Sequence, residues 1–319
     1  MHPPCAQYPP GVTRPAVDVV APLRGERSEL EELRARLGRL RLRPSDSVLV
    51  VDNTPRAASA GAAEPGGVPV LHAAERTTPG FARNRGAARG SAEWIVFLDA
   101  DTVPEPDLLE RYFDPLPAER TGLLGGGVRD EPAAPGAGAA ARYAYLRGVS
   151  DQEGTLRFGR WGYPKTANAA LRRAAFEAVG GFREDIRAGE DADLAYRLRD
   201  AGWQTERREH AAVVHRNRTT VRGFAAQRAV HGSGAAWLAE RYPGSFPARR
   251  RPGLVWWGIR ACAGGLASAA WNRDRDRAVW AVIGPLDDLV FELGRSVPNQ
   301  RPLPRRSPWR ALCLVRGGS

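Results

Sequence analysis

Trp94-Ile95-Val96-Phe97-Leu98-Asp99-Ala100-Asp101 is the stretch on which the fold turns. Its leading residues are large and apolar without alternation, the pattern of a central strand covered on both faces. The strand ends in two carboxylates at i and i+2, which project the same way because strand side chains alternate with period two. Like charges converging at the C-terminal rim of a sheet are costly unless a cation or a ligand compensates them. A hard divalent ion with phosphate oxygens as co-ligands suits such a pair. Asp101, ahead of Pro104, also fits plain helix capping, and the pair alone does not choose between the two readings.

N-terminal to this strand, the chain alternates strand and helix patterns. Val17 to Leu23 reads as a first strand, and Ser28 with Glu31 is a capping-box signature. Leu30, Leu33, Leu37 and Leu40 then form one helical stripe. Ser47 to Asn53 reads as a second buried strand, Val68 to Leu71 as a third, and Gly80 to Arg89 as a short helix. The alternation predicts a mainly parallel, doubly wound sheet, in which ligands sit beyond the carboxyl ends of the strands. Asp52, Asp99 and Asp101 all fall at such ends.

C-terminal to it, Gly122 to Gly127 reads as a glycine-rich strand or turn and Pro132 to Gly138 as a flexible connection. Residues 172–180, 191–201 and 220–241 have helical spacing, and Ala211 to His215 reads as a strand. Two apolar segments, Gly253 to Trp271 and Ala278 to Leu293, are interrupted by Arg260, Pro285, Asp287 and Asp288, so neither is a clean membrane span. Arg249-Arg250-Arg251 precede them and Arg301, Arg305 and Arg306 follow. Such segments either lie on an anionic membrane surface or pack as helices on the body of the protein.

Composition narrows the class. The 319 residues are 43% hydrophobic and 26% charged, as in a folded globular protein. The formal charge is +11, and Lys165 is the only lysine. This basicity favours anionic partners such as phosphorylated substrates, lipid surfaces or nucleic acid. Nucleic-acid binding would rest on charge alone, without an aromatic-basic platform. Cys5, Cys262 and Cys313 have no metal-type spacing, which argues for a reducing compartment and against a disulfide framework or zinc site. The Pro-rich start lacks a basic-then-apolar signal pattern, so a disordered leader over residues 1–15 and a cytoplasmic location are expected.

A second acidic group, Gly189-Glu190-Asp191-Ala192-Asp193-Leu194, sets Asp191 and Asp193 in the first turn of a helix, where the macrodipole stabilises ionised carboxylates. Taken alone, this is ordinary capping chemistry. In order along the chain, however, come Asp52, Ala82-Arg83-Asn84-Arg85-Gly86, Phe97 to Asp101, Gly180-Gly181-Phe182, Gly189 to Leu194, Ala201-Gly202-Trp203 and Val213-Val214-His215. This series resembles glycosyltransferase family 2, inverting transferases of the GT-A fold, over about residues 16–235.

The resemblance implies an α/β GT-A architecture: a Rossmann-like, mainly parallel sheet flanked by helices, with a helical C-terminal extension. The division expected is a GT-A domain over 16–245, with a nucleotide-binding half at 16–130 and an acceptor half at 139–245. A basic, partly apolar extension over 246–319 follows. It also implies hexosyl transfer from a nucleotide-sugar, UDP-sugars being the favoured donors. Asp52, Arg83 and Asp99 match donor-binding positions. Asp101 and His215 match ligands of Mn2+ or Mg2+, with the imidazole tilting toward manganese. Asp191 matches the general base. Trp161, Lys165, Asn168 and Glu190 fall on the acceptor side.

Departures from the family pattern matter too. Asp52-Asn53-Thr54-Pro55 replaces the usual pair of acids with Gly-Ser, which loosens any inference about the base. A Gln-x-x-Arg-Trp motif is missing, Gln227-Arg228-Ala229-Val230-His231 being a faint echo, so one sugar is expected per encounter. The acceptor stays open between a lipid-linked molecule and a small metabolite, and peripheral contact with the inner membrane face stays open with it. The rivals are a catalytically inactive nucleotide- or membrane-binding protein of the same fold and a sugar-phosphate nucleotidyltransferase. The latter needs a glycine-rich phosphate loop that Pro22-Leu23-Arg24-Gly25-Glu26-Arg27 does not supply.

Overall fold

A computed structural model describes residues 14–58, 67–248 and 253–300. The leader to residue 13, Cys5, Cys313 and the clusters Arg249–Arg251 and Arg301/Arg305/Arg306 lie outside the described residues. Arg14 corrects the leader expectation at its end: it is buried, paired with Asp46 at 2.5 Å and Glu110 at 3.2 Å.

The first half runs β1 (Val17–Leu23), α1 (Arg27–Leu37), β2 (Ser47–Asp52), β3 (Val70–His72), α2 (Pro79–Ala87), β4 (Trp94–Leu98), β5 (Thr102–Pro104) and α3 (Leu108–Tyr112). The second runs β6 (Thr121–Asp130), α4 (Ala139–Arg147), α5 (Glu153–Leu156), β7 (Asn168–Arg172), α6 (Arg173–Ala178), α7 (Glu190–Asp200), β8 (Gln204–His215) and α8 (Val221–Arg241). Two long helices, α9 (Leu254–Asn272) and α10 (Arg275–Gly294), complete the described chain.

The eight strands form one sheet in the order β3-β2-β1-β4-β7-β6-β8-β5. From β3 to β4 every pairing is parallel, as the alternation predicts. Beyond β4 the sheet is mixed: β7 is antiparallel to both β4 and β6, β8 is parallel to β6, and β5 is antiparallel to β8. The strand–helix alternation stops at β4, because β5 follows after only three residues and no crossover helix fits between them.

All five β4 residues are buried, with one apolar cluster on each face of the sheet. Leu30, Leu33 and Leu37 seat α1 against one face, and Phe97 meets Phe176 and Phe182 on the other. The start of α1 departs from expectation. Its capping box is Glu26 with Glu29, whose side chain accepts from the Glu26 backbone N–H at 2.8 Å, and Ser28 lies within the first turn. The expected N-terminus of α8 holds, with Thr220 Oγ1 accepting from the Gly223 N–H at 3.1 Å.

The C-terminal helices are attached differently. α10 packs on α8, α4 and α9, whereas Ala269 is the one buried residue of α9. No helix of the described residues is long and apolar enough to cross a membrane.

Candidate active site

The carboxyl ends of the parallel strands open onto a cleft of about 1240 Å³. Register brings its residues together. β5 pairs with β8 so that Thr102 faces His215, and the Arg216 N–H donates to the Asp101 carbonyl at 2.8 Å. The imidazole of a residue 114 positions downstream thus reaches the strand-end carboxylate, with His215 Nε2 3.3 Å from Asp101 Oδ1. Ser150 Oγ lies 3.0 Å from His215 Nδ1, and Asp130 accepts from the Ser150 N–H and the Asn217 amide. Burial opposes both charges of the Asp101–His215 pair. Their mutual hydrogen bond and attraction win, holding the Asp101 carboxyl below its ordinary pKa and raising that of His215. Arg218 Nη2, at 4.0 Å from Asp101 Oδ2, adds to this.

Asp99 has a different partner. Its Oδ1 accepts from Arg83 Nη2 at 2.6 Å, while Arg83 Nη1 donates to Glu190 Oε1 at 2.8 Å. Arg83 is buried on α2, with the Phe182 ring 5.5 Å from its guanidinium carbon. Burial works against its charge, but Asp99, Asp191 and Glu190 outweigh it and raise its pKa. Burial raises Asp99 in spite of Arg83, and burial with the Asp191 charge pushes Glu190 up to about 7. One guanidinium therefore ties the rim of β4 to the start of α7.

That start is shaped by Gly189, whose φ of 86° lies in the region that favours glycine. A Cβ there would come within 2.9 Å of Leu238 Cδ1 on α8. The turn delivers Asp191 into the cleft, where its Oδ1 accepts from Thr166 Oγ1 at 2.5 Å. Asp193 faces inward instead, bound by Arg197 at 2.8 Å and the Tyr242 hydroxyl at 2.7 Å.

Other expected positions land elsewhere. Asp52 is fully buried, and its Oδ1 accepts from the Thr54 N–H at 3.0 Å; the residue facing the cleft at this strand end is Asn53. Asn168 is also buried: its amide donates to the Gly127 and Ala211 carbonyls and its oxygen accepts from Tyr112. It ties β7 to its neighbours and does not line the cleft, because as the first residue of β7 it points into the sheet packing. Trp161 is likewise displaced. Its ring packs edge-on against Tyr196 at 5.0 Å, with Arg160 and Arg199 over its faces. Lys165 does line the cleft, and its Nζ donates to the carbonyls of Val149 and Asp151 at 3.0 and 2.8 Å.

Ser150, Arg218 and the hold of Thr166 on Asp191 escaped the sequence reading. Ser150 and Thr166 carry no motif of their own, while Arg218, three residues past His215, was within reach of a search around that histidine. Asp101 and His215 are a hard oxygen and a borderline nitrogen side by side on an open cleft. This donor set fits a divalent ion that takes its remaining ligands from outside the protein. No group of three or more His, Cys, Asp or Glu placed to hold a metal ion occurs among the described residues.

Comparison with known proteins finds relatives by sequence and by fold. Over 246 residues the chain is 32% identical to the pre-mycofactocin glycosyltransferase of Mycobacterium tuberculosis, covering 74% of this chain and 50% of that protein. It is 29% identical over 198 residues to the glycosyltransferase AglE of Haloferax volcanii, covering 60% of this chain and 64% of that one. The chain thus spans between half and two thirds of the length of these curated relatives. Among solved structures, the mannosyltransferase PcManGT of Pyrobaculum calidifontis, in complex with GDP-Man and Mn2+, superposes with a TM-score of 0.61. The match is 17% identical and covers 89% of this chain and 88% of that one, which establishes a shared fold. The model of the family described as glycosyltransferase like family 2 matches residues 19–232, and the chain belongs to that family.

Proposed function

We propose that this protein transfers one sugar from a nucleotide-sugar donor to an acceptor hydroxyl, with inversion and with help from a divalent ion. The observation that carries this reading is the convergence of two acidic groups in one cleft. Asp101 with His215 stands on one side and Asp191 on the other, and Arg83 bridges Asp99 and Glu190 between them.

Asp101 and His215 would hold Mn2+ or Mg2+, which supplies Lewis-acid stabilisation of charge on the departing diphosphate. The like-folded mannosyltransferase was solved with GDP-Man and Mn2+. Asn53, at the end of β2, gives its amide N–H groups to the Ala73 and Arg76 carbonyls and leaves its side-chain oxygen as an acceptor for the base or ribose, while Asp52 braces the turn behind it. Arg83 keeps Asp99 oriented toward the ribose. Asp191, with Oδ1 engaged by Thr166, takes the acceptor hydroxyl's proton as that oxygen attacks the anomeric carbon. The glycosidic C–O bond breaks opposite, and its electron pair leaves with the nucleoside diphosphate.

Peripheral contact with the cytoplasmic face of a membrane is a separate part of the proposal. Trp256, Trp257 and Trp271 on α9 are 64%, 50% and 89% exposed, and Arg260, Arg273 and Arg275 are exposed around them. Aromatic rings beside guanidinium groups fit an anionic bilayer surface.

The test is thermal stabilisation by UDP-, GDP- and dTDP-sugars with and without Mn2+, on wild type and Asp101→Ala. One nucleotide class should stabilise the wild type in a manganese-dependent way that the variant loses. A folded protein stabilised by none of them would overturn the transferase reading in favour of a non-catalytic relative.

A further inference from the structure

The acceptor end of the cleft carries a second charged group that the reaction described above does not use. Arg147 at the end of α4, Lys165 before β7, and Arg228 and His231 on α8 all line it. A single carboxylate, Asp287 of α10, anchors two of them. Its side chain has no exposure, it is paired with both Arg147 and Arg228, and it accepts from the Tyr143 hydroxyl at 3.1 Å. Lys165 Nζ meets the Val149 and Asp151 carbonyls, and His231 is exposed to the cleft. Two guanidiniums sharing one carboxylate, with an ammonium beside them, leave an excess of positive charge, while burial and the Arg228 and Lys165 charges pull His231 down to about 3 and keep it a neutral hydrogen-bonding group. Burial pulls Lys165 down to about 8 and Arg228 to about 10, with Arg147 adding to the effect on Arg228. Desolvated like charges of this kind are relieved by an anion, and paired guanidiniums suit phosphate oxygens.

The group lies on the side of the proposed base. α8 packs against the turn that delivers Asp191: a Cβ on Gly234 would come within 2.9 Å of the Ala188 backbone. Lys165 directly precedes Thr166, which holds Asp191. Around the cations stand Phe224, Val230, Phe246 and Phe291. Arg147 also borders a second cavity of about 410 Å³ between α4, α9 and α10, where Trp257, Trp280 and Pro285 supply apolar walls.

We propose that Arg147, Lys165, Arg228 and His231 form an anion subsite that binds a phosphate group carried by the acceptor. The assignment to the acceptor rests on the transferase reading above. Asp287 is a positioning residue: it sets the two guanidiniums and fastens α10 to the cleft wall. A soluble phosphorylated metabolite and a phosphate on a lipid share this head-group chemistry, and the cavity beside Arg147 is where a tail would lie.

The test is isothermal titration calorimetry with inorganic phosphate and with n-decyl phosphate below its critical micelle concentration. It is run on wild type, Arg147→Gln/His231→Gln and Lys165→Met, each first shown to be folded by circular dichroism. Both probes should bind the wild type, and each variant should weaken them by roughly tenfold or more. Decyl phosphate binding at least about tenfold tighter than phosphate, with the increment lost in Trp257→Ala, identifies a lipid source. Equal affinities identify a soluble one. The subsite is overturned if neither probe binds the wild type or if the variants bind as well as wild type. The acceptor assignment is overturned if the stabilising nucleoside diphosphate displaces the probes. If the probes bind but no nucleotide stabilises the protein, the transferase reading fails while the anion subsite stands.

Discussion

The strands beneath the cleft and the C-terminal helices α9 and α10 are held by different forces. β4 is buried at every residue between two apolar clusters, so its position follows from hydrophobic packing on both faces. α9 buries Ala269 alone, and α10 is fastened through the ion pairs of Asp287 as well as a small apolar cluster around Tyr143, Phe224 and Ile283. Apolar burial is non-directional and makes a rigid platform for Asp99 and Asp101. A buried carboxylate between guanidiniums is directional and sets where cations point in the cleft.

The sharpest use of that contrast is at the reaction itself. Asp191→Asn should lower kcat by about 10²–10⁴-fold while the thermal stabilisation by nucleotide persists, because Arg83 keeps its closer partners, Asp99 at 2.6 Å and Glu190 at 2.8 Å, when its 3.9 Å pairing with Asp191 is lost. Loss of nucleotide binding in that variant would show the two ends to be one unit. On the platform, Phe97→Ala should cost about 3–5 kcal/mol in urea unfolding, since it removes a ring that meets both Phe176 and Phe182. At the other end, Asp287→Asn should cost about 3 kcal/mol by leaving two guanidiniums uncompensated. Its hydrogen-exchange signature should be faster exchange in α10 with β4 unchanged; equal loss in β4 would break the comparison.

Smaller effects refine it. Glu190 opens α7 and is tied to the rim of β4 through Arg83, with a carboxyl at about 7 against an ordinary 4.5. The folded chain keeps a proton that the unfolded chain releases between those values, so this group makes stability fall as pH rises through that window. Glu190→Gln removes the titration, so its Tm relative to wild type should rise between about pH 5 and pH 8. A flat difference would mean that Arg83 holds Glu190 ionised throughout. Trp271→Ala, at a site 89% exposed, should change stability by no more than about 0.5 kcal/mol. It should nonetheless weaken co-sedimentation with anionic vesicles if α9 meets a bilayer.

Legibility in the sequence followed the same division. Strands and helices carried by apolar period, such as β1, β2, β4 and α8, were readable to within a residue or two, because burial imposes the period directly. The sheet beyond β4 was not, since whether β7 enters parallel or antiparallel depends on pairing partners far along the chain. At the site, Asp99, Asp101 and Asp191 were legible as acids, and all three line the cleft. Polar side chains with interior duties looked the same as functional ones: Asp52 and Asn168 brace backbone, and Trp161 packs on Tyr196.

By itself, then, the sequence determined the buried strand Trp94–Leu98, the carboxylates at its end and the Gly189 turn that starts α7. Each is set by local pattern: unbroken apolarity, period-two projection, or a backbone angle that glycine tolerates. The family resemblance paired Asp101 with His215, but only the tertiary structure showed the strand register that joins them, the link from Asp99 through Arg83 to Glu190, and Asp287 gathering Arg147 and Arg228. Those pairs join residues up to 140 positions apart (Arg147 to Asp287), and no local period records which charges strand register and helix packing will bring into contact.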